Sequence, residues 1–473
     1  MKPILLFIIS VFFVCNVQAQ PFSLDTTFKI NYNFYSAGSG ATVYNLNYEP
    51  DGKLMIYGCF NNGFHNPSSM LRIYEDGSLD NTWDYQMNDC VSFVKRLNNE
   101  YITLSVSLLV KFTYEGQWLD SAWEHNLDRD NICGVFYQPY IFSDGSILVG
   151  TDSICNVVSD KKRWLMRFLP DGNVDTNFRH NTNNLVDRIV KYNNNKLLLT
   201  GYFNKYDTIS IFGMCRTDTT GNLDTTFHSI ITSGIPYPIY VQNDGKIIVC
   251  GDMKIIGNPT RLRFIRLNID GSLDSTFNNF NSIVYIPNTP CAASVACPTT
   301  DGGYLIGGQF RQYQGYVHNN IAKTDANGFI DTTYFNGLGI DSVLYPNLGI
   351  PPYVNSIVKG SNDNYYVMGS FTHYNGVKVN PIIRIHGLSV GINEVEKEKV
   401  KVYPNPAINS ITFTGIYKDF KLTIFNAIGQ IVLQKKLITS NTTLNIESFQ
   451  RGMYYFQLIN DKAKVINGKF VKN

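Results

Sequence analysis

The sequence predicts an all-β chain: a seven-bladed β-propeller whose N-terminal strand closes the last blade, followed by a small immunoglobulin-like β-sandwich. Two short phrases that alternate along residues 22–391, and a change of texture after residue 392, indicate this architecture. The composition agrees, because Tyr and Phe number 30 each and aromatic residues favour pleated sheets over helices.

The N-terminus predicts export. Residues 1–19 are typical of a signal peptide: Lys2, an apolar run from Ile4 to Val14, and a small-residue cleavage site ending at Ala19. A lipid-anchored signal at Cys15 is the alternative, but Val14 stands where such signals carry a small residue. The run is shorter than the about 20 residues of a membrane span, and no later segment is apolar enough for one. The mature chain is therefore predicted to lack a transmembrane segment.

Charge and cysteine content exclude several classes of function. With 40 basic and 38 acidic residues, the chain has no bias towards nucleic acid or acidic membranes. Eight cysteines follow the signal peptide, an even number that permits disulfides, and no Cys/His spacing indicates zinc. Cys59, Cys215 and Cys250 lie in apolar strand-like runs, where burial as thiols and pairing both remain open. No cofactor or metal is predicted.

The first repeated phrase is a turn followed by a short strand. Its seven copies are SLDTTF (23–28), DGSLDNTW (76–83), EGQWLDSAW (115–123), DGNVDTNF (171–178), GNLDTTF (221–227), DGSLDSTF (270–277) and NGFIDTTYF (327–335). Their aspartates are on average 51 residues apart, a length that four strands and their connections fill. Asp-Gly favours a tight turn, the next Asp and Thr can bond nearby backbone, and the closing aromatic residue can pack on a neighbouring blade. The phrase predicts a blade, not a catalytic motif.

The second phrase is a turn, an apolar strand and usually a glycine. Its seven copies are DGKLMIYGCF (51–60), NNEYITLSVS (98–107), DGSILVGTD (144–152), NNKLLLTGYF (194–203), DGKIIVCGDM (244–253), DGGYLIGGQF (301–310) and DNYYVMGSF (363–371). The two sets are out of step, because the first Asp phrase precedes every strand copy and the last strand copy has no Asp phrase after it. Joining the two ends completes a seventh blade and leaves no open sheet edge.

Each repeat also carries a basic residue before its turn, on the strand face opposite to its apolar neighbours. We predict one ion pair per blade with the Asp of the phrase, rather than a cationic ring for an anionic ligand. The predicted pairs are Arg72–Asp80, Lys111–Asp120, Arg167–Asp175, Arg216–Asp224, Arg266–Asp274, Lys323–Asp331 and Arg384–Asp25.

These repeats resemble the delta-60 repeats of bacterial secreted β-propellers. The resemblance is carried by repeats that end in RLNIDGSLDSTF and have an upstream Gly-x-Phe strand. The motifs span residues 22–391, within a predicted propeller domain of residues 20–391. The resemblance implies the propeller fold and little about activity.

After a charged linker (392–401), residues 402–473 show short strands and frequent turns, which indicate a small β-sandwich. This segment resembles the type A C-terminal sorting domain of the Bacteroidetes type IX secretion system. The matching residues are Tyr403, Pro404, Asn405, Pro406, Gly429, Gln430, Gly452, Tyr454, Lys469 and Lys472. The resemblance implies passage through the periplasm, handling by the secretion machinery, and release or anchoring at the cell surface. An immunoglobulin-like adhesion module without a sorting role is the alternative.

No catalytic motif appears in the sequence, so we expect no enzyme activity. The loops after the Gly-x-Phe strands are candidate recognition surfaces, because Tyr206, Tyr313 and Tyr374 recur at one position in them. Exposed tyrosines suit stacking on sugars or docking a protein. Packing inside each blade is the alternative role for these tyrosines.

The sequence therefore predicts a secreted or cell-surface, non-catalytic propeller that binds a polysaccharide or a protein. Two alternatives remain: a carbohydrate-active enzyme with its site at the channel, and a purely structural scaffold. Two carboxylates about 5–10 Å apart at the channel would favour the enzyme.

Overall fold

The computed structural model describes residues 20–30, 42–59, 70–83, 91–97, 99–105, 109–119, 138–156, 161–279, 283–284, 292–341, 352–389, 401–414, 420–437, 441–460 and 465–473. The predicted signal peptide and residues 392–400 of the predicted linker lie outside these ranges. The chain divides into two compact units, Met1–Val390 and Gly391–Asn473. In the described ranges the fold is all-β: the one helical element is a 3₁₀ turn, Ser361–Asp363, and no helix reaches the length and apolarity of a membrane span.

The first unit is built from antiparallel meanders, each of which starts a new sheet segment along the chain. In chain order their strands are β1 (Thr42–Tyr48), β2 (Leu54–Cys59), β3 (Met70–Ile73); β4 (Val91–Leu97), β5 (Glu100–Ser105), β6 (Leu109–Thr113), with β7 (Trp118–Leu119); β8 (Tyr140–Ile141), β9 (Ile147–Asn156), β10 (Lys161–Phe168); β11 (Val186–Asn193), β12 (Lys196–Gly201), with the hairpin β13 (Lys205–Tyr206) and β14 (Ile209–Ser210), then β15 (Met214–Asp218); and β16 (Ile231–Val241), β17 (Ile247–Ile255), β18 (Leu262–Leu267).

The remaining meanders follow the same order and carry further outer hairpins. Their strands are β19 (Ile283–Val284), β20 (Ala292–Pro298), β21 (Tyr304–Gln309), β22 (Gln312–Tyr313), β23 (Tyr316–Val317), β24 (Ile321–Thr324); and β25 (Ile340–Asp341), β26 (Tyr353–Lys359), β27 (Tyr365–Ser370), β28 (His373–Tyr374), β29 (Val377–Lys378), β30 (Ile382–Ile385). The meander of β16–β18 joins that of β20, β21 and β24 through a Gly251–Ala293 pair.

The Asp phrase adds a short outer segment to each meander. The residue before the Asp forms an isolated antiparallel bridge with the meander's last strand, as in Ile73–Leu79 and Leu267–Leu273. For β30 the partner is the N-terminal segment: Leu24 bridges Ile385, and the Asp25 N–H donates to the Arg384 carbonyl at 2.8 Å. The N-terminal segment therefore contacts the last strand of the last meander through an isolated bridge.

The core lies between consecutive meanders and also joins the first meander to the last. Leu54 and Ile56 of β2 pack in one buried cluster with Phe28, Tyr366 and Met368. Side chains of β26 also reach β1 directly. The Asn355 amide donates to the Val43 carbonyl at 2.8 Å, and the Ser356 hydroxyl donates to Asn45 Oδ1 at 2.6 Å.

Six of the seven predicted ion pairs are present, and Asp120 of the seventh lies outside the described residues. Their N–O distances are 2.7 Å for Arg72–Asp80, 3.7 Å for Arg167–Asp175, 2.7 Å for Arg216–Asp224, 2.6 Å for Arg266–Asp274, 3.3 Å for Lys323–Asp331 and 2.8 Å for Arg384–Asp25. In four of them the guanidinium also bonds the Thr hydroxyl two residues after the Asp, as Arg266 does with Thr276 at 3.1 Å. The pair therefore ties the last strand to the phrase.

Each arginine of these pairs also reaches the following meander, a contact that no sequence motif indicates. The guanidinium donates to a backbone carbonyl in the neighbouring turn, and the pairs are Arg72 with Tyr114, Arg167 with Thr219, Arg216 with Ile269, Arg266 with Ala326, and Arg384 with Glu75. The Arg384 contact links the last meander to the first. One side chain thus stabilises both its own meander and the junction with the next.

A lysine from the second phrase completes three of these clusters. Lys53, Lys196 and Lys246 contact the same carboxylate oxygen as the arginine, at 2.8, 2.6 and 2.8 Å. The sequence signal was the Lys of Asp-Gly-Lys in two of the three strand phrases. The turn glycines allow the close approach of the meanders, since a Cβ at Gly271 would stand 2.5 Å from the His228 carbonyl oxygen.

The second unit packs two antiparallel sheets around one buried core. One sheet contains β31 (Lys401–Tyr403), β32 (Ser410–Thr414) and β35 (Asn441–Asn445); the other contains β33 (Phe420–Phe425), β34 (Ile431–Leu437), β36 (Gly452–Asn460) and β37 (Val465–Lys472). Phe413 of the first sheet meets Phe456 of the second edge-on, with ring centroids 5.0 Å apart.

Replacing Arg266 should destabilise the first unit strongly. Arg266→Ala removes one of the two cations that pair with the nearly buried Asp274, leaving Lys246, and also removes the bond to Ala326. Because several hydrogen bonds of a charged group are lost, we expect a decrease of about 2–4 kcal/mol in unfolding free energy. Arg261→Ala is the matched control, because Arg261 precedes the same strand and pairs with Asp252 at the surface; its loss should be about 0–1 kcal/mol. Chemical denaturation of both variants makes the comparison, and equal losses would contradict the role assigned to Arg266.

The Asp phrase should also make stability depend on acid. Burial alone would raise the pKa of Asp274, but hydrogen bonds from Lys246, Thr276 and Arg266 hold it well below its usual range. The folded pKa is thus lower than the ordinary value of about 4 in the unfolded chain. The stabilisation is complete above pH 4 and is lost as the pH falls through the folded pKa. Denaturation midpoints between pH 5 and 2 should fall less steeply in Asp274→Asn than in the parent chain; parallel slopes would show that Asp274 does not contribute.

Candidate functional site

The three candidate recognition tyrosines are buried, which corrects the prediction that they form an exposed surface. Tyr206, Tyr313 and Tyr374 are each at most 1% exposed. Their hydroxyls donate to the carbonyls of Gly221, Gly328 and Phe22. The physical reason is that each outer hairpin folds back on its own meander, so the tyrosine fastens the hairpin to a turn. Packing within the repeat, the alternative, is the arrangement present.

The exposed positions of these hairpins are the cross-strand partners of the tyrosines. Tyr206, Tyr313 and Tyr374 pair with Ile209, Tyr316 and Val377. These partners are 46%, 53% and 54% exposed. A shift of three residues therefore separates the buried tyrosine from the exposed side chain, and the sequence pattern alone did not decide between them.

The first unit contains a cavity of about 750 Å³ between the first strands of neighbouring meanders. We call it the β1–β4–β26 cavity. It is lined by Asn45, Leu46, Asn47, Tyr48, Glu49, Pro50, Tyr57, Phe93, Val94, Lys95, Arg96, Gln138, Ser356 and Val358. Asn47 holds two of its walls together, because its amide donates to the Val94 carbonyl at 2.7 Å. This size and this mixture of aromatic and polar groups suit a small ligand.

One end of the cavity is charged. Arg96 Nη1 lies 3.8 Å from Glu49 Oε2 and 3.5 Å from Asp51 Oδ2. The guanidinium lies over the Tyr114 ring, with its central carbon 4.5 Å from the ring centroid, and the Tyr114 hydroxyl donates to Asp51. Two carboxylates therefore flank one stacked cation.

The two carboxyl groups differ in their titration. Burial raises the pKa of Glu49, and the charge of Arg96 offsets only part of that rise. Burial also opposes ionisation of Asp51, but hydrogen bonds from the Tyr114 hydroxyl and the Lys53 backbone, with the Arg96 charge, lower its pKa. Environments that separate the pKa values of a carboxyl pair are typical of acid–base sites. A carboxyl group of this kind accepts hydrogen bonds when ionised and donates one when protonated.

For Cys215 and Cys250 the buried-thiol alternative is the one present, whereas the Cys59 side chain lies outside the described part of the structure. Cys215, Cys250 and Cys297 are buried free thiols, and burial raises the pKa of Cys297 to about 12. These three act as small apolar residues. No group of three or more potential metal ligands occurs among the described residues.

The sorting-domain residues converge on one end of the second unit. The segment Tyr403–Pro404–Asn405–Pro406 runs beside the end of β37: the Val471 N–H donates to Asn405 Oδ1 at 2.9 Å, and Ala407 forms a parallel bridge with Lys472. The Lys472 ammonium is nearly buried and donates to the Asn473 carbonyl at 2.7 Å. The first and last predicted motifs, almost 70 residues apart, are thus in contact.

The other motif residues reach the same end. Gly452 pairs with Lys472, and Phe425, the last residue of β33, pairs with Tyr455 and Ile431, which brings the turn at Gly429 and Gln430 alongside. Tyr454 is buried and stacks on Phe470, with centroids 5.4 Å apart, whereas Lys469 is exposed. We call this region the motif end. Its exposed apolar residues include Ile428 (77%) and Ile431 (57%).

Family comparisons confirm both resemblances. Residues 401–473 match the family described as a secretion system C-terminal sorting domain. Residues 143–178, 188–227, 242–277 and 299–334 match a beta-propeller family described as a domain of unknown function, DUF5122. The chain thus carries propeller repeats and a sorting domain, and the latter indicates export to the cell surface or secretion. No curated protein matches the sequence.

Two solved structures are distantly similar in fold to this chain. PorZ of Porphyromonas gingivalis, described as an essential surface component of the type-IX secretion system, is 10% identical with a TM-score of 0.39, over 91% of this chain and 59% of PorZ. The extracellular domain of a putative one-component system from B. thetaiotaomicron is 10% identical with a TM-score of 0.46, over 95% of this chain and 58% of its own. This chain spans less than two thirds of either structure. At these scores neither likeness says anything about activity or partner.

Removing the Asn405 side chain should loosen the motif end. In Asn405→Ala the Val471 N–H loses its acceptor, so hydrogen exchange of peptides covering residues 465–473 in the full chain should become faster. Asn426→Ala is the control, because it removes a similar side-chain bond to Gln430 N–H in the β33–β34 turn and should leave these peptides unchanged. Unaltered exchange in Asn405→Ala would show that the Asn405 bond does not hold β37.

Proposed function

We propose that this protein is a non-catalytic, seven-bladed β-propeller that the type IX machinery delivers to the cell surface or releases, where it binds a glycan or a protein. The sorting match at residues 401–473 supports the export route. The β1–β4–β26 cavity carries the binding proposal, because the first unit offers there a concave, polar and aromatic site of ligand size.

The blade count rests on the arginine contacts. Their direction is the same throughout: each donates to the turn of the meander that follows, and Arg384 donates to Glu75 of the first. Five arginines make this contact, and the last of them returns to the first meander, which supports a closed ring. For the second unit, the two facing sheets and their shared core support an immunoglobulin-like sandwich.

The export proposal makes the motif end the part that the secretion machinery recognises. Four separate chain segments meet there, and exposed apolar side chains accompany the exposed Lys469. Of the other predicted motif residues, Tyr454 and Lys472 are buried in that end, and the rest are exposed on it. Recognition therefore depends on the folded unit rather than on one linear peptide.

A carbohydrate-active enzyme is the second candidate, because Glu49 and Asp51 flank Arg96 beside the cavity with pKa values moved in opposite directions. Such a pair suits a general acid and an ionised partner. Asp51 does not line the cavity, however, which favours binding over catalysis. A scaffold without a ligand is the third candidate.

Two measurements on the full chain test the proposal. In the producing cell, a chain that ends at residue 400 should accumulate inside the outer membrane, whereas the parent chain should reach the surface or medium; equal export would reject the sorting role. The purified mature chain should then bind immobilised glycans or capture an outer-surface protein, without turnover of the bound glycan. Turnover would favour the enzyme, and absence of both glycan and protein binding would favour the scaffold.

A further inference from the structure

We infer that the β1–β4–β26 cavity binds a neutral sugar, with Glu49 accepting hydrogen bonds from ring hydroxyls, Lys95 and Arg96 as donors, and Phe93 as the stacking surface. This inference rests on the proposed function and narrows its ligand from a glycan or protein to a short neutral glycan. It assigns the choice of ligand to this cavity, whose lining does not include Tyr206, Tyr313 or Tyr374.

The first argument is that the fold does not need a carboxylate at position 49. Glu49 begins a turn in which its N–H donates to the Lys53 carbonyl at 2.8 Å. The same turn bond starts at Phe142, Gln242, Thr299 and Gly360 in other meanders. An aromatic ring, an amide, a hydroxyl or no side chain therefore serves equally well there. The carboxylate of Glu49 is a departure from the repeat that the turn does not explain.

The second argument is that this carboxylate is incompletely compensated. Glu49 is 4% exposed, and burying a charge is costly unless it is paired and hydrogen-bonded. The distance of 3.8 Å between Glu49 Oε2 and Arg96 Nη1 is longer than a hydrogen bond allows. The raised pKa of Glu49, caused by burial, agrees with this partial compensation. A ligand hydroxyl that donates to Glu49 would supply the hydrogen bond that Arg96 does not make.

The third argument concerns the charge of the ligand. Lys95 and Arg96 line the same cavity and disfavour a cation beside Glu49, while the buried Glu49 disfavours an anion beside itself. A neutral polyhydroxyl compound avoids both costs, because each hydroxyl donates to a carboxylate and accepts from a cation. The half-buried rings of Tyr48 and Phe93 line the cavity while they also pack against the cores of neighbouring meanders, so that each can present only part of its apolar surface to a sugar. The Gln138 and Asn47 amides add polar groups.

The fourth argument is size. The volume of about 750 Å³ lies within the range of small-ligand sites, whereas a stable protein interface covers roughly 800 Å² on each partner. A few sugar rings fill such a cavity, and a folded protein does not enter it. The occupant is therefore a chain end or short stretch of glycan.

The test uses the purified mature chain on an array of neutral and acidic oligosaccharides, followed by titration of the strongest neutral binder. Glu49→Gln, which keeps the size of the side chain, should weaken binding roughly tenfold or more, as expected for a lost hydrogen bond to a charged group. Phe93→Ala should weaken it comparably. Glu115→Gln and Phe329→Ala are the matched controls, because both residues are exposed in turns away from the cavity lining; their binding should equal that of the parent.

A thermal melt of each variant separates lost binding from lost folding. If Glu49→Gln melts at a lower temperature than the parent chain, Lys95→Gln is used in its place, because Lys95 is exposed. This variant is again expected to bind the same glycan more weakly. Binding that Glu49→Gln and Phe93→Ala leave intact would place the site elsewhere and overturn this inference while the proposed function stands. Binding of acidic glycans alone, or capture of a protein without any glycan, would overturn the ligand class in the same way. Failure of every probe would reject the binding function as well.

Discussion

The contact on which the first unit depends is the ion pair between the basic residue of each repeat and the aspartate of the phrase. In Arg266 one guanidinium bonds the Asp274 carboxylate, the Thr276 hydroxyl and the Ala326 carbonyl of the next meander. A planar group with five donors in a fixed fork can bond acceptors that lie in different directions, whereas a lysine presents its three donors from a single nitrogen atom. The meanders meet through apolar faces that have no directional preference, so these polar contacts supply the register between one repeat and the next.

The single departure from arginine among the fully described pairs supports this view. Lys323 has no planar fork, and it contacts Asp301 at 2.6 Å in addition to Asp331 at 3.3 Å. Asp301 stands in the turn of the strand phrase, where Lys53 and Lys246 follow an aspartate in other repeats. This repeat thus keeps a cluster of opposite charges, but its strand phrase contributes an aspartate to the cluster instead of a lysine. In the repeats of Arg167 and Arg384 this lysine position holds Ser146 and Tyr365, and the pairs with Asp175 and Asp25 measure 3.7 and 2.8 Å. The lysine therefore does not by itself set the length of the pair.

Local sequence was sufficient to predict the repeat, the turn, the ion pairs and the joined ends, because each depends on residues within one phrase or on a count of phrases. The carbonyl contacts between meanders were not predictable, since any residue can offer a carbonyl and no side-chain signal marks it. The tyrosines were ambiguous for another reason: a hairpin strand of two residues gives no alternation from which to assign the buried face. The cavity combines residues 45–50, 57, 93–96, 138, 356 and 358, and nothing in the spacing of these segments shows that they meet.

The regularity of the repeat gives a criterion for separating structure from ligand recognition. A residue that recurs at its position, such as Arg266 or Tyr313, is accounted for by a contact that also recurs. A residue that departs from the repeat is of two kinds. Lys323 departs and is compensated by Asp301, so its role is structural. Glu49 departs and remains incompletely compensated by Arg96, and stability alone does not account for a buried carboxylate in that state. In a fold made of copies, an incompletely compensated exception beside a cavity is therefore the position where ligand chemistry is most reasonably assigned.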